Sequence, residues 1–340
     1  MKRKVGVFGH FAFGRNKRNG QTIKTLSVAH ILKQEFGEEN VLLIDTFEKF
    51  SLCKNAYLLQ KECKHKVLMT AQNGIRILVP LMYALNGFSG KQLHFVVIGG
   101  WLVEFLQKRK MLCEMLKHFD GVYAETESMV KGLSDMGFEN VFLMPNFKPF
   151  EEKVSTIKSD ISSPVKLCTF SRVMQEKGIE EAIKGVKLAN ESGTLGYHLT
   201  VFGAIEQSFK EKFLQLQKEY ADVFSYGGEI AFDESVKTIK IFDALLFPTY
   251  YEGEGMAGTL IDAFKAGLPV VATDFKYNKD YVLHGENGLL IKPADADAVK
   301  EAVLELFEKA DVLKFRENSL CMAERFESQC AARRLLENLK

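Results

Sequence analysis

Apolar residues along the first half of this chain fall into short unbroken runs separated by longer stretches with helical spacing. Val5–Phe8, Val41–Ile44, Val67–Met69, His94–Ile98, Gly121–Ala124 and Val141–Met144 are runs of three to five residues. Each reads as a strand buried on both faces. Helices are predicted between them near Gly20–Glu35, Ile75–Leu85, Leu102–Leu116 and Ser128–Met136. Such alternation predicts a parallel sheet covered by helices on both sides. A polar, Ser-rich, Pro-flanked stretch between Lys148 and Pro164 (PFEEKVSTIKSDISSP) then interrupts the pattern and reads as a linker. Beyond it the alternation restarts. Strands are predicted at Val165–Phe170, Tyr197–Phe202, Val223–Tyr226, Ala244–Phe247 and Pro269–Ala272. Helices are predicted over Gly178–Asn190, Phe209–Tyr220, Glu234–Lys240, Thr259–Ala266 and Ala296–Lys309.

The fold class expected is therefore α/β, with two Rossmann-like, doubly wound parallel-sheet domains facing across a cleft. The first spans 1–150, the linker 151–163 and the second domain begins at 164. A chain of 340 residues can bury two such cores. Ligands of these sheets bind at the carboxyl ends of the strands, so the site is expected between the domains.

Composition narrows the class. Apolar residues make up 46% and charged residues 26%, ordinary for a soluble globular protein. The longest apolar stretch, around Ile75–Leu85, is broken by Arg76 and Pro80 and is too short to span a membrane. The basic start runs straight into a strand rather than a secretory signal. Six cysteines, Cys53, Cys63, Cys113, Cys168, Cys321 and Cys330, show no metal-type spacing and read as reduced thiols of a cytoplasmic protein. The net charge of +1 hides an asymmetry: residues 1–150 hold 21 Lys/Arg against 13 Asp/Glu, whereas residues 151–340 hold 24 against 31. The basic half suits an anionic membrane surface or phosphorylated acceptor. Lys61, Lys64, Lys66 and Arg76, around a helix carrying Ile75, Ile77, Leu78, Leu81 and Met82, would make a peripheral contact. An ordinary core helix is the alternative. The basic residues carry no aromatic-interleaved platform or helix-turn-helix spacing, which excludes nucleic acid as a partner.

Three stretches carry candidate chemistry. The loop after the first strand, GHFAFGRNKRNGQT, has the Gly-x4-Gly spacing of a phosphate loop, but Arg15-Asn16 stands where Lys-Ser/Thr is needed. What remains is a basic, glycine-rich turn feeding a helix whose amino end favours an anion. Arg172 follows the first strand of the second domain, and Lys177 precedes a helix. Two cations on one such loop can neutralise a diphosphate without a metal. Finally, in EGEGMAGTLIDAFKAGLPVV, Glu254-Gly255-Met256-Ala257-Gly258 forms a turn at a strand's carboxyl end. It feeds a helix whose amino end is a second anion seat. Asp262 lies about one turn into that helix, placing its carboxylate at the same mouth. Gly267 and Pro269 end the helix.

The spacing Glu254-x7-Asp262, followed by Gly267-Leu-Pro269, resembles the Glu-x7-Glu signature of the retaining glycosyltransferases of family 4, which have the two-domain GT-B fold. Arg172, Glu176-Lys177-Gly178, Met144-Pro145-Asn146, Tyr226-Gly227-Gly228 and Asn287-Gly288-Leu289-Leu290, read as a late turn, match the family in the same order. Arg325-Phe326-Glu-Ser328 resembles the start of the last helix, which in this fold crosses back to the first domain. The second domain accordingly ends at 321, with 322–340 packing on the first. Val97-Ile98-Gly99-Gly100-Trp101 and Asn19-Gly20-Gln21-Thr22 resemble bacterial members that build capsular polysaccharide or exopolysaccharide.

The resemblance implies transfer of a hexose from a nucleotide sugar, UDP-linked by the family's habit, to a glycan or lipid-linked saccharide. Arg172 and Lys177 would stabilise the departing diphosphate. Glu254 and the amides of Gly255, Met256, Ala257 and Gly258 would hold the donor sugar and phosphate, and Asp262 the ribose. Gly203, Tyr226 and Gly227 would lie beside the donor, and Gly20 and Gln21 would approach its diphosphate. Gly99, Gly100, Trp101 and Glu125 would be on the acceptor side. Glu125 is also the one nameable candidate for a covalent nucleophile, its alternative being a helix-start residue. The second signature carboxylate is Asp rather than Glu, shorter by ~1.5 Å, and the loop at Gly99–Leu102 lacks the histidine common in the family. His94 reads as structural. Asp295-Ala-Asp297 opens a helix and reads as a cap rather than a metal motif, so no cofactor or essential metal is expected. Rival expectations are an epimerase on the same fold, or a GT-B protein that binds a nucleotide sugar or partner without turnover.

Overall fold

The computed structural model describes residues 3–13, 20–46, 52–87, 90–148, 157–231 and 233–340. The chain divides into two compact units, Met1–Glu151 with Phe326–Lys340, and Glu152–Arg325. Residues 14–19 of the basic loop and 151–156 of the expected linker lie outside the described residues.

Unit 1 runs β1 (Arg3–Gly9), α1 (Gly20–Phe36), β2 (Val41–Asp45), α2 (Leu52–Glu62), β3 (Cys63–Met69), α3 (Gln72–Asn86), β4 (Gln92–Val96), α4 (Leu102–Gln107), α5 (Lys110–Lys117), β5 (Gly121–Ala124), α6 (Glu127–Asp135) and β6 (Val141–Leu143). Its six strands form one sheet in the order β2-β1-β3-β4-β5-β6, with every described pairing parallel. Unit 2 runs β7 (Val165–Phe170), α7 (Ile179–Ser192), β8 (Tyr197–Phe202), α8 (Lys210–Glu219), β9 (Phe224–Gly228), α9 (Ser235–Ile239), β10 (Ala244–Phe247), α10 (Gly258–Lys265), β11 (Val270–Thr273), β12 (Gly288–Ile291), α11 (Ala296–Glu308) and α12 (Val312–Ala323). Its parallel sheet has the order β12-β11-β10-β7-β8-β9. The α/β class expected from the alternation, with two parallel sheets, is the class observed.

Several expectations are corrected. The single helix expected over Leu102–Leu116 is two, because the chain breaks at Lys108-Arg109, where the Arg109 guanidinium folds back over the Phe105 ring at 3.8 Å. Asn287-Gly288-Leu289-Leu290 is not simply a turn: Gly288–Ile291 pairs with β11 as the edge strand β12. The apolar side of α3 belongs to the core, with Ile75, Leu78 and Met82 buried. Lys66, expected on a basic surface, is also buried. It donates to Asn86 Oδ1 at 3.0 Å, and burial together with Lys91 pulls its pKa down to about 7.

The last helix, α13 (Ser328–Asn338), belongs to unit 1, where Ala332, Leu335 and Leu336 join Val5, Val7, Val28, Leu32, Val67 and Met69 in one core. A buried polar chain ties it to the sheet. Asn338 Nδ2 donates to Tyr123 Oη at 2.9 Å, Tyr123 Oη meets His94 Nδ1 at 3.1 Å, and His94 Nε2 meets His65 Nδ1 at 3.4 Å. The proton order consistent with all three contacts has Tyr123 donating to His94 and His94 to His65, with both imidazoles neutral. His94 is thus structural. Two histidines at van der Waals range cannot both be charged in a site that excludes water. Burial, then neighbouring Lys64, Lys4 and Lys66, pulls His65 down to about 4; burial, then His65 and Lys66, pulls His94 down to about 3.

No described helix is long and apolar enough to cross a membrane. Cys63, Cys113 and Cys168 are buried free thiols, and Cys321 and Cys330 exposed ones.

The histidine pair predicts an acid-labile unit 1. In the unfolded chain histidine titrates near 6.5, so the stabilisation from keeping both neutral is complete above about pH 6.5 and is lost as pH falls toward the folded values. Between about pH 6.5 and 5, each histidine contributes a loss of up to about 2 kcal/mol. The melting temperature should fall over that interval, and fall less in His94→Gln. Equal slopes for the two proteins would remove the histidines as the cause.

Candidate active site

In unit 2 the strand order reverses at β7, which has β8 on one side and β10 on the other. The loops leaving β7 and β10 at their carboxyl ends therefore diverge to opposite sides of the sheet and open a crevice between them. Register fixes the pairing of the two strands, Leu245 of β10 with Cys168 of β7, and Thr249 beyond β10 reaches the Glu176 carbonyl beyond β7 through its Oγ1 at 3.2 Å. The first loop carries Arg172 and Lys177 and the second Glu254, and topology brings Lys177 and Glu254, distant in sequence, together.

The meeting is tight. Lys177 and Glu254 are nearly enclosed, with side chains 8% and 10% exposed, and the Lys177 ammonium donates to Glu254 Oε2. Thr249 Oγ1 lies 3.0 Å from the same carboxylate oxygen. The two loops are also joined through their backbones, since the amide of Tyr250 donates to the carbonyl of Glu176 at 2.8 Å. Gly178, which follows Lys177, opens α7 with φ +70°. A Cβ there would stand 2.1 Å from the Pro248 carbonyl oxygen, so glycine is required for the loops to approach. Arg172, in contrast, is exposed, and its guanidinium lies over the Tyr251 ring.

The turn after Glu254 leads into α10, which begins at Gly258, one residue earlier than expected. Gly255, Ala257 and Gly258 are partly exposed, whereas the Met256 side chain is buried. Asp262 departs from its expected place at the mouth. It is 0% exposed, on a helix whose residues Thr259 to Lys265 are all buried. The apolar run that makes α10 a core helix encloses the carboxylate with it. On the far side of β7, Tyr226 Oη donates to the Gly203 carbonyl at 2.9 Å, which groups two of the expected donor-side residues, and Gly227 beside them is exposed.

In unit 1 the expected residues also lie at a sheet's carboxyl edge. Gly20 and Gln21 form the amino end of α1, and Gly99, Gly100 and Trp101 follow β4, with Trp101 Nε1 donating to the Ile98 carbonyl at 2.6 Å. Glu125 is neither an open nucleophile nor a helix-start residue. α6 is capped by Thr126 and starts at Glu127, while Glu125 is buried against Lys24 of α1, Nζ to Oε1 2.5 Å. Burial lowers the Lys24 pKa, and the Glu125 charge opposes that shift. Asp295 caps α11 by accepting from the Ala298 amide at 3.0 Å, and Asp297 pairs with Lys300 at 3.0 Å.

Residues 153–319 match the family model described as glycosyl transferases group 1. This segment, just under half of the chain, is similar to group 1 glycosyltransferases. The matched segment contains Arg172, Lys177, Glu254 and Asp262. An uncharacterized glycosyltransferase of Methanocaldococcus jannaschii is 26% identical over 159 residues, covering 46% of this chain and 40% of that protein. The amylovoran biosynthesis glycosyltransferase AmsK of Erwinia amylovora is 25% identical over 163 residues, again 46% and 40%. The chain thus spans about two fifths of the length of these curated relatives. Anabaena HepE, solved in complex with UDP, superposes over 100% of this chain and 99% of its own with TM-score 0.78 at 16% identity, a likeness of fold.

Sequence reasoning missed Thr249 and Tyr251. Their signal was position alone, directly after Pro248 at a strand's carboxyl end.

The buried Lys177–Glu254 contact has a measurable consequence. Lys177→Met strands a nearly enclosed carboxylate, which typically costs about 3–5 kcal/mol, and should lower the melting temperature. Adding Glu254→Gln to Lys177→Met should restore most of the loss. A single variant that melts with the wild type would show that the pair carries no stability.

Proposed function

We propose that the protein is a retaining, metal-independent hexosyltransferase. It would transfer from a nucleotide sugar, UDP-linked, to a glycan or lipid-linked saccharide acceptor in surface polysaccharide synthesis at the cytoplasmic side of the membrane. The observation that carries the reading is the convergence of Arg172, Lys177 and Glu254 at the point where the unit 2 sheet reverses its strand order. AmsK, named for amylovoran biosynthesis, and HepE, solved with UDP, support the acceptor class and the base.

The chemistry follows from charge. Breaking the bond between the sugar's anomeric carbon and the diphosphate oxygen leaves negative charge on the diphosphate. Arg172 and Lys177 stabilise that charge more in the transition state than in the ground state. Glu254 accepts from sugar hydroxyls, and the amides of Gly255 to Gly258 with the amino end of α10 face the phosphates. Gly20 and Gln21, at the amino end of α1, offer a second set of backbone amides suited to a phosphate. Asp262 is the proposed ribose partner. The acceptor oxygen then bonds to the anomeric carbon on the face the diphosphate leaves, and a departing phosphate oxygen takes the acceptor's proton. Glu125 is a poor covalent nucleophile, since its carboxylate is committed to Lys24 in a buried pair. A double displacement would need a free carboxylate beneath the sugar.

Calorimetry with UDP, GDP, ADP and their sugars tests the reading. One diphosphate should bind at micromolar concentration, with or without chelator. Glu254→Gln should abolish transfer while leaving that binding, and Asp262→Ala should weaken it. Wild-type transfer rates in both variants would overturn the assignment, and binding that needs a divalent cation would overturn its metal-independent part.

Membrane contact is proposed through a different face from the buried side of α3. Ile77 and Met111 are 57% and 73% exposed on α3 and α5, beside exposed Arg76, Lys108 and Lys110. Basic groups around exposed apolar side chains suit an anionic bilayer. Wild type should sediment with anionic liposomes at low salt, and Ile77→Asp with Met111→Asp should remain in the supernatant. Failure of the wild type to bind would end this part of the proposal.

A further inference from the structure

Tyr251 stands between the two cations expected to meet the diphosphate. The Arg172 guanidinium carbon lies 5.4 Å from the centre of its ring and the Lys177 ammonium 5.1 Å, both within reach of a cation–π attraction. Like charges brought to one crevice repel, and the negative face of an aromatic ring attracts both. The two cations differ in their other contacts. Lys177 has the Glu254 carboxylate and lies 5.6 Å from the centre of the Phe247 ring. Arg172 makes no ion pair among the described residues, and the Tyr251 ring is its aromatic contact there.

The ring is itself held in place. The Tyr251 amide donates to Thr249 Oγ1 at 3.3 Å, and its carbonyl accepts from the Glu254 amide at 3.0 Å. Two residues on, a Cβ at Gly253 would stand 2.7 Å from Tyr251 Cε1, 2.8 Å from Cζ and 2.9 Å from the hydroxyl oxygen. The ring occupies the space that any larger residue at 253 would fill. In Tyr251-Glu252-Gly253-Glu254, the first residue therefore faces both cations, the third admits its ring and the fourth takes the Lys177 ammonium.

We propose that Tyr251 is a positioning residue for the diphosphate of the donor: its ring sets where Arg172 and Lys177 stand, and so the spacing at which they receive the two phosphates. This rests on the glycosyltransferase reading given above and adds a determinant outside the Glu254–Asp262 signature. The ring touches the cations rather than the reacting atoms, so its removal should act on phosphate recognition and leave contacts to the base unchanged.

The experiment compares UDP and UMP binding by metal-free calorimetry in wild type, Tyr251→Phe, Tyr251→Leu and Gly253→Ala, with a melting curve for each. Loss of two cation–π contacts, each taken at the strength of an exposed one, corresponds to roughly 5- to 30-fold weaker UDP binding. Tyr251→Leu should show that loss with UMP affinity little changed, so the preference for UDP over UMP collapses. Tyr251→Phe, which keeps the ring, should retain the preference. A role confined to folding would lower both affinities and the melting temperature together. A Tyr251→Leu protein that melts normally and keeps the wild-type preference overturns the inference while leaving the glycosyltransferase reading intact. Absence of nucleoside diphosphate binding in the wild type overturns both. If Tyr251→Leu does not fold, Gly253→Ala, which keeps the ring and displaces it, decides: an unchanged UDP preference there overturns the inference.

Discussion

A parallel sheet sends every strand out at the same edge, and in unit 2 that edge is where the candidate chemistry collects. With β7 first in sequence and central in the sheet, its loop and that of β10 leave neighbouring strands in opposite senses. Nothing in the local sequence of Arg172 or Glu254 brings them together. Strand register does so, and the Tyr250–Glu176 backbone hydrogen bond and the contact of Gly178 with Pro248 lock it. A one-residue slip of β10 against β7 would flip its side chains to the other face of the sheet. It would also break the contacts of Thr249 with Glu176 and Glu254. The stability of the β7–β10 pairing is thus a precondition of the site, quite apart from the residues that do chemistry.

The same geometry explains why carboxylates crowd a glycine-rich turn. An enclosed ammonium such as Lys177 is costly without a counter-charge. Glu254 supplies that charge in the ligand-free protein. In the proposed reaction a diphosphate would take over the ammonium, leaving the Glu254 oxygens to accept from sugar hydroxyls. On that proposal one pair would serve two states, holding the cation in a folded, water-poor site and then dividing between phosphate and sugar. Glu252 is a different case. It is exposed and reaches Lys276 at 2.7 Å, a surface pair of small energetic weight.

Much of the architecture was legible in hydrophobic pattern. Every strand of the first sheet and five of the second appeared as short apolar runs, because a strand covered on both faces has no polar alternation to disguise it. What pattern could not supply was context. Gly288–Ile291 is too short to separate from a turn until β11 is seen beside it. α4 and α5 share one apolar stripe, and their break lies in the side-chain fold-back of Arg109. Lys66 was expected on a basic surface and Asp262 at the mouth of a cleft, because both residue types favour water, yet each is fully buried. For the site, the identities of Arg172, Lys177 and Glu254 were readable from their positions after strands. The contacts among them were not, nor was the place of Tyr251, since such contacts arise from register and from where a neighbouring glycine leaves room.

Both units seal buried charge in pairs, and that bears on which groups remain to bind an anion. In unit 1 the Lys24–Glu125 pair is sealed, with side chains 1% and 3% exposed, and the neutral His65–His94–Tyr123 chain admits no charge at all. In unit 2 Asp243 is closed in the same manner by Lys158 at 2.7 Å, Arg316 at 2.9 Å and the Lys166 amide at 2.9 Å, far along β10 from the site. These groups are spent on holding elements together, and drawing any of them toward a ligand would leave its partner buried and uncompensated. Arg172 stands apart. Its guanidinium is exposed and lies against an aromatic face rather than a carboxylate. A ring attracts a cation without neutralising it, so the charge stays available to an incoming phosphate. An acidic partner at position 251 would anchor Arg172 equally well but would compete directly with the ligand.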